Sequence, residues 1–421
     1  MTSNSGQARF TCRFLIAILA LTGSFISIDS AVAHADVVLE WSRVTVPCSG
    51  GVCATKVHIA MHDALNSIDP VYAPFLVFVA SPPGASAEAA MIEAAYRVNI
   101  QLNPASAAVF EAKRAQTLAA IPDGQAKIDG IAVGAGVASG VLAARANDGY
   151  AQHLTGQCGA LPPPAPGVYT PPEDNPNPFL LNSCSAQYVP YALNSVEQFT
   201  PDGPPALTSQ NYATDLNEVQ SLGALNSSTR TADQTHASLF WRAGAYTAWN
   251  RVVQNIYERN YLSLHDGARL FAAMNVAITD TNVACNATKY VYNFWRPVSA
   301  IRQADTDGNP RTVQDPNWTP FNLTPNIPDY PSSATCLAST AAEVIERVLG
   351  DYADTSFCMT LATAVPANSQ RCFFSVEEAA IEVGNSRVWI GFHFRTAVRD
   401  GEKLGRRIGK WVSNHIMPSQ K

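Results

Sequence analysis

Apolar residues recur at steps of one, three and four along most of this chain, the spacing that lines one face of an α-helix. Over residues 88–102 the stripe is Met91, Ile92, Ala95, Val98 and Leu102. Residues 127–147 repeat it through Ile128, Ile131, Ala135, Ala138, Val141 and Leu142, and the alanines and glycines between them predict close packing on a neighbour. Ser106 stands where it can cap a helix over 106–118. Further helices are predicted over 215–222, 232–259, 263–281, 334–349 and 376–388. The last of these opens with Ser375 and, three residues on, Glu378, the spelling of a capping box. A final amphipathic helix is predicted over 401–415. No alternating strand pattern is sustained, so the expected fold class is all-α, a helical bundle.

Two segments break the helical rhythm. Prolines 162, 163, 164, 166, 171, 172, 176 and 178 exclude a helix over residues 159–179. They predict an extended strap across a single helical domain of residues 36–421, because no core of a different type follows. Residues 1–35 read as a secretory signal peptide: Arg9 and Arg13, an apolar run from Phe14 to Ile26, then Ala31-Val32-Ala33 and Ala33-His34-Ala35. No later stretch reads as long and apolar enough to span a bilayer, so the expectation is a secreted or periplasmic protein without a membrane span after cleavage.

The full chain carries a net charge of −6, and losing Arg9, Arg13 and Asp29 makes it −7. That balance excludes nucleic acid and anionic lipid as partners held by bulk charge. A local basic cluster in such a chain is therefore informative. Eight of the nine cysteines lie beyond the signal segment, and an even number in an exported chain favours disulfides. Short loops suggest Cys48 with Cys53, Cys158 with Cys184 and Cys358 with Cys372, leaving Cys285 with Cys336. The paired spacing and nearby histidines of a zinc site are absent.

Three separated segments supply groups suited to a tetrahedral oxyanion. In Lys289-Tyr-Val-Tyr-Asn-Phe-Trp-Arg296-Pro297, lysine and arginine lie seven apart, about two helical turns, so both can share a face. The alternative is a pair of surface charges on an amphipathic helix. In Pro328-Asp-Tyr-Pro331-Ser332-Ser333-Ala334-Thr335, serines precede a helix. That is ordinary capping, and also an anion site, where Ser332 offers a hydroxyl and Ser333 a backbone N–H. In Ser386-Arg387-Val-Trp-Ile-Gly391-Phe-His393, a second arginine and an imidazole sit six apart near a helix end. Such an imidazole can ligate a metal oxoanion or attack a phosphoryl group.

Taken together these segments resemble the vanadium-dependent haloperoxidase and type-2 phosphatidic acid phosphatase superfamily, in its bacterial vanadium haloperoxidase-like branch. The shared pattern is lysine, six residues, Arg-Pro; then Pro-Ser; then Ser-Arg, five residues, histidine. The likeness extends to Ala60-Met-His-Asp-Ala-Leu-Asn66, Phe240-Trp241, Trp249-Asn250 and residues 270–302, sparse before Ala232 and dense after it. The resemblance implies that Lys289, Arg296, Ser332, Ser333, Arg387 and His393 hold vanadate, with phosphate as a competing occupant. His393 is then the vanadium ligand, or the nucleophile if the substrate is a phosphate ester. The implied partners are small molecules: hydrogen peroxide polarised by Lys289, a halide and an organic acceptor.

The chain departs from the pattern at three places. Where the family carries Pro-Ser-Gly-His, Ser333 and Ala334 stand at the last two positions, so the acid–base histidine is missing. Ala248 replaces a histidine before Trp249-Asn250, and Ala397 replaces an acidic residue after His393-Phe394-Arg395. Loss of the acid harms a phosphatase most, since an alkoxide must be protonated as it leaves. It weakens or alters a haloperoxidase and leaves a non-catalytic or repurposed oxyanion binder untouched. Elsewhere His58 and His62, beside Asp63, have the spacing of two metal ligands but read as packing. Trp241, Trp249, Trp295 and Trp389 read as core aromatics, with Trp295 the candidate for a pocket wall. Asp305-Thr-Asp307-Gly-Asn309 reads as a turn. Ala334→His is expected to raise peroxide-dependent halide oxidation by about 10²- to 10⁴-fold, the usual worth of a placed acid–base group; an unchanged rate in a dye-bromination assay would mean the pocket is reshaped beyond that one residue.

Overall fold

The computed structural model describes residues 36–45, 51–176, 179–242, 244–350, 353–361 and 364–420. The expected signal segment and Cys48 lie outside the described residues. The first helical layer holds α1 (Val37–Val44), α2 (Val52–Ile68), α3 (Ala87–Leu102), α4 (Ala107–Ala119), α5 (Gln125–Ala144) and the short α6 (Tyr150–Thr155). The second holds α7 (Gln210–Leu222), α8 (Ala232–Phe240), α9 (Ala245–Asn260), α10 (Leu264–Tyr292), α11 (Pro297–Arg302), α12 (Ser333–Leu349), α13 (Val376–Trp389) and α14 (Arg395–His415). The fold is all-α, apart from one antiparallel hairpin of β1 (Phe357–Leu361) and β2 (Ser369–Phe373).

Helix α10 is the axle. It is buried on almost every side from Gly267 to Lys289 and packs on α2, α9, α12 and α14. A helix so enclosed needs its polar side chains satisfied. Asn275 and Asn250 exchange amide hydrogen bonds of 2.9 Å, and Asp280 accepts the backbone N–H groups of Tyr191, Ala192 and Leu193. Burial pushes the Asp280 carboxyl up to about 6, against the pull of those three donors.

Several elements differ from the sequence reading, each for a local reason. The helix expected over 232–259 is two, because Gly244, poor in helix propensity, takes an extended conformation between α8 and α9. The helix expected to stop at Thr281 continues to Tyr292, where Asn293 turns it off in the left-handed region at φ 46°. Ser106 stands before α4 but makes no capping hydrogen bond, since a turn of 3₁₀ helix precedes it. Ser375 does cap α13, whereas the Glu378 carboxylate takes the N–H of Phe374, one residue outside the expected box. The hairpin was hidden by its brevity, although its first strand alternates buried and exposed.

Helix α5 overturns the expectation that no later segment has the length and composition to cross a membrane. In the fold it lies against α3, with Gly130 and Gly134 in contact with the Ser86 and Ala90 carbonyls. Its buried stripe runs through Val133, Val137, Ala138 and Val141, and Ile128, expected inside, is 60% exposed. Its hydropathy comes from Ile128, Ile131, Val133, Val137, Val141 and Leu142 together with the alanines, while the glycines permit the close approach to α3. The proline-rich segment is tied by backbone hydrogen bonds to the turn that follows α10. Tyr169 N–H donates to the Asn293 carbonyl at 2.7 Å and Trp295 N–H to the Gly167 carbonyl at 3.0 Å.

Disulfides join Cys158 to Cys184 and Cys358 to Cys372, the latter directly opposite each other in the hairpin. Cys285 and Cys336, expected as a fourth bridge, are instead buried free thiols. Among the described residues no three His, Cys, Asp or Glu side chains gather as a metal site. His58 is buried and stacks on Phe271 at 4.7 Å, and burial pushes its imidazole down to about 3; His62 lies 3.0 Å from Asp63. The 305–309 segment is a turn, in which Asp307 accepts the Asn309 N–H at 2.7 Å.

The α12–α14 contact is as close as that of α3 with α5. A Cβ on Gly405 would sit 2.2 Å from the Cys336 carbonyl oxygen and 3.0 Å from the Thr340 nitrogen. Gly405→Ala gains helix propensity but forces these helices apart, and the strain dominates. A net loss of about 1–3 kcal/mol is expected, read as a lower urea midpoint at unchanged slope; an unchanged or higher midpoint would contradict this packing.

Candidate functional site

Three helix interruptions deliver the site. Lys289 lies in the last turn of α10 and Arg296 occupies the N-cap position of α11, ahead of Pro297. The left-handed Asn293 between them means they do not share one helical face, as their spacing suggested. Nor are they surface charges: each is 1% exposed. Arg387 ends α13, and Gly391, at φ 85°, turns the chain back. A side chain at Gly391 would meet the Gly223 carbonyl at 2.6 Å, so the turn that presents His393 requires glycine. The N–H groups of Phe392 and His393 both donate to the Arg387 carbonyl, at 3.1 and 3.3 Å.

Lys289 Nζ donates to the carbonyls of Pro328, Asp329 and Pro331, at 3.1 and 2.8 Å for the first two. Arg296 Nε donates to the Ile327 carbonyl at 2.6 Å, and its Nη1 to the Phe392 carbonyl at 3.0 Å. That Nη1 lies 3.2 Å from His393 Nε2. Arg387 is held by Ser386 Oγ, at 3.0 Å from Nε and 2.8 Å from Nη2, and by the Trp241 carbonyl at 3.1 Å. The break between α8 and α9 frees that carbonyl, which a continuous helix would consume. Arg296 Nη2 and Arg387 Nη1 donate to nothing among the described residues.

The third segment sits at the start of α12. Ser332 holds the N-cap position without capping: its N–H donates to the Ala397 carbonyl at 2.9 Å, and its Oγ accepts from Thr335 Oγ1 at 2.9 Å. Ser333 Oγ donates to Asn286 at 3.1 Å. The N–H groups of Ser333, Ala334 and Thr335 therefore have no acceptor among the described residues, and they point from the positive end of α12. Ser333 and Ala334 are partly exposed, whereas the other named side chains are buried.

The electrostatics are unusual for an interior. Three cationic groups meet a single close carboxylate, Asp329, which is fully buried. Its Oδ1 lies 3.8 Å from Arg296 Nη1 and 2.9 Å from His393 Nδ1, near enough for charge interaction but out of line for a hydrogen bond. Burial raises the Asp329 carboxyl to about 7, opposed by Arg296 and Lys289. Burial and then the Arg296 charge push Lys289 down to about 8; burial and then Arg242 push Arg387 down to about 10. His393 falls well below its ordinary value through burial, helped by Arg296, Lys289 and Arg387, so it is neutral at pH 7. Asp329 stood inside the Pro-Asp-Tyr-Pro motif without a role in the sequence reading; its acidity directly ahead of Ser332 was the available signal. Trp295, expected to line a pocket, is 1% exposed and belongs to the core.

Comparison with known proteins follows the same boundaries. Residues 269–420 match the family described as the VCPO second helical-bundle domain. Vanadium chloroperoxidase of Curvularia inaequalis is 29% identical over 152 residues, 30% of this chain and 24% of that protein. The chain thus aligns with about a quarter of its curated relative's length. A crystal structure of a bacterial vanadium-dependent iodoperoxidase superposes with a TM-score of 0.74 at 22% identity, covering 92% of this chain and 95% of that one. Residues 269–420 resemble the vanadium chloroperoxidases in sequence, and the chain shares the fold of the bacterial vanadium haloperoxidases. An apo bacterial vanadium-dependent chloroperoxidase also shares the fold, with a TM-score of 0.71 at 15% identity over 91% of this chain and 98% of that one. All three proposed oxyanion segments fall within the region matched in sequence to this haloperoxidase family.

Folding lowers Lys289 from 10.5 to about 8, so the unfolded chain holds that proton more tightly. Its contribution to stability accordingly rises with pH between those two values, while its power to hold an anion falls. Phosphate affinity, followed by equilibrium dialysis, is expected to drop as pH rises through about 8. Lys289→Gln should bind more weakly throughout and lose that drop; a wild-type profile that is flat across this range would contradict the assignment.

Proposed function

We propose that this protein is a vanadium haloperoxidase-like enzyme acting outside the cytoplasm, with vanadate held by Lys289, Arg296, Ser332, Ser333, Arg387 and His393. The observation that carries this reading is the buried excess of positive charge around a neutral imidazole, at a helix start with free N–H groups. Such an arrangement lacks one partner, an oxyanion, and phosphate would compete for the place. The disulfides Cys158–Cys184 and Cys358–Cys372 support an oxidising compartment, and residues 36–421 are read as one domain beneath the strap.

Vanadate, when bound, supplies the centre at which hydrogen peroxide becomes reactive toward a halide. The chain's own residues do the rest. His393 offers an unprotonated ring nitrogen as ligand. Arg296 Nη2 and Arg387 Nη1 provide donors, and Lys289 fixes a positive charge by gripping the Pro328, Asp329 and Pro331 carbonyls. These charges are set before any substrate arrives, so no reorganisation opposes charge development. Ser333 and Ala334, being partly exposed, mark the side from which peroxide, halide and organic acceptor enter.

One observation favours a second reading, a divergent or non-catalytic oxyanion binder: Ala334 has no proton to give where the acid–base histidine is expected. The hydroxyls flanking it are engaged, Thr335 with Ser332 and Ser333 with Asn286. The same gap weighs against an acid phosphatase using His393 as nucleophile. Vanadate-loaded protein with peroxide and bromide is expected to brominate a phenol-red-type dye, slowly, and His393→Ala to abolish this. Protein whose melting temperature rises with vanadate while the dye stays unchanged would instead be the binder.

A further inference from the structure

The free thiols of Cys285 and Cys336 lie in the wall of the proposed oxyanion pocket. Cys285 is one turn before Lys289 on α10, and Cys336 is one turn after Ser332 on α12. Both are buried, and their Sγ atoms are 2.9 Å apart. Cys285 Sγ is 3.6 Å from Ser333 Oγ and 3.8 Å from the Pro331 carbonyl oxygen, the same carbonyl that Lys289 grips. The Cys336 N–H donates to the Ser332 carbonyl at 2.9 Å. Ser333 and the Pro331 carbonyl are thus shared between the thiol pair and the anion-binding groups.

We infer that Cys285 and Cys336 form a peroxide-responsive thiol pair whose oxidation state sets the affinity of the adjacent oxyanion pocket. Contact geometry supports the division of labour. Burial alone would raise the Cys285 thiol, but the hydrogen bond from Cys336, the Lys289 ammonium and the Ser333 hydroxyl together hold it below its ordinary value. Burial and the facing Cys285 push Cys336 well above it. Cys285, in contact with Ser333 Oγ and one turn from the Lys289 ammonium, is placed as the attacking sulfur and Cys336 as the resolving one.

The chemistry balances with a hydroperoxide as oxidant. The Cys285 sulfur attacks one oxygen of hydrogen peroxide; an S–O bond forms, the O–O bond breaks, and the departing hydroxide leaves as water with the thiol proton. Cys336 then attacks the sulfenic acid sulfur and expels a second water. Two thiols and one hydrogen peroxide give one disulfide and two waters. Closure to a bond of about 2.05 Å draws α10 and α12 together by less than about 1 Å at the point where Lys289 and Ser333 stand. It also removes a partial negative charge from beside Lys289, which otherwise competes with the incoming anion. The oxidised form should bind the oxyanion more tightly, by about threefold to tenfold.

The pocket's affinity for an oxyanion rests on the reading under Proposed function, whereas the thiol chemistry does not. The test uses the full chain, reduced with dithiothreitol or then treated with hydrogen peroxide, alkylated under denaturing conditions and digested for mass spectrometry. The peroxide-treated sample should yield linked peptides bearing Cys285 and Cys336, with Cys158–Cys184 and Cys358–Cys372 as internal standards. In Cys336→Ser, a sulfenic acid at Cys285 should be trapped by a dimedone-type reagent. Orthovanadate affinity of the two wild-type forms is then compared by equilibrium dialysis. Absence of the linked peptides would overturn the pair, and equal affinity in both forms would overturn the coupling. If neither form retains vanadate, the oxyanion reading and the coupling fall together, while the linked peptides still decide the thiol chemistry.

Discussion

The organising constraint is electrostatic: Lys289, Arg296 and Arg387 are buried close to one imidazole and one carboxylate, with too little negative charge to balance them. Charged groups leave water at large cost unless paired. Here the interior pays part of that cost with backbone carbonyls, from Trp241, Ile327, Pro328, Asp329, Pro331 and Phe392. Each of those carbonyls is available because a helix has been stopped or has not begun. The remaining imbalance makes the site receptive to an anion.

Seen this way, the irregular parts of the fold are as necessary as its helices. The break at Gly244 frees the Trp241 carbonyl for Arg387, the left-handed Asn293 swings Arg296 away from the axis of α10, and Gly391 folds His393 back over Arg296. The proline-rich segment braces the second of these junctions through its bonds to Asn293 and Trp295. Close helix packing at Gly405 and at Gly401, whose Cβ position lies 2.9 Å from the Ser332 carbonyl, sets the depth of the α12 start. Substitutions far from the chemistry are thereby tied to it.

Much of this was legible in the sequence, and the failures have physical causes. The helices over 88–102, 334–349 and 376–388 declared themselves through their stripes, and the three charged segments through spacing shared with the haloperoxidases. Two disulfides followed from loop length. The convergence of Lys289 and Arg296 was foreseen, but through the wrong geometry, because a single residue at positive φ is invisible to periodicity. The membrane-length character of α5 was missed because its isoleucines, valines and leucine are interspersed with glycines and alanines rather than contiguous. Cys285 and Cys336 were paired by elimination, whereas tertiary packing leaves them as adjacent thiols. Asp329 carried no periodic signal; only its acidity ahead of Ser332 pointed to it, and its burial beside His393 gives it a role.

The central claim is that one oxyanion completes this charge arrangement. A crystal structure of protein soaked with orthovanadate tests it most directly. The account predicts tetrahedral or trigonal density in contact with His393 and within hydrogen-bonding reach of Arg296, Arg387 and the Ser333 N–H, one site per chain. Vanadate bound elsewhere, or absent while these side chains keep their unliganded positions, would contradict it.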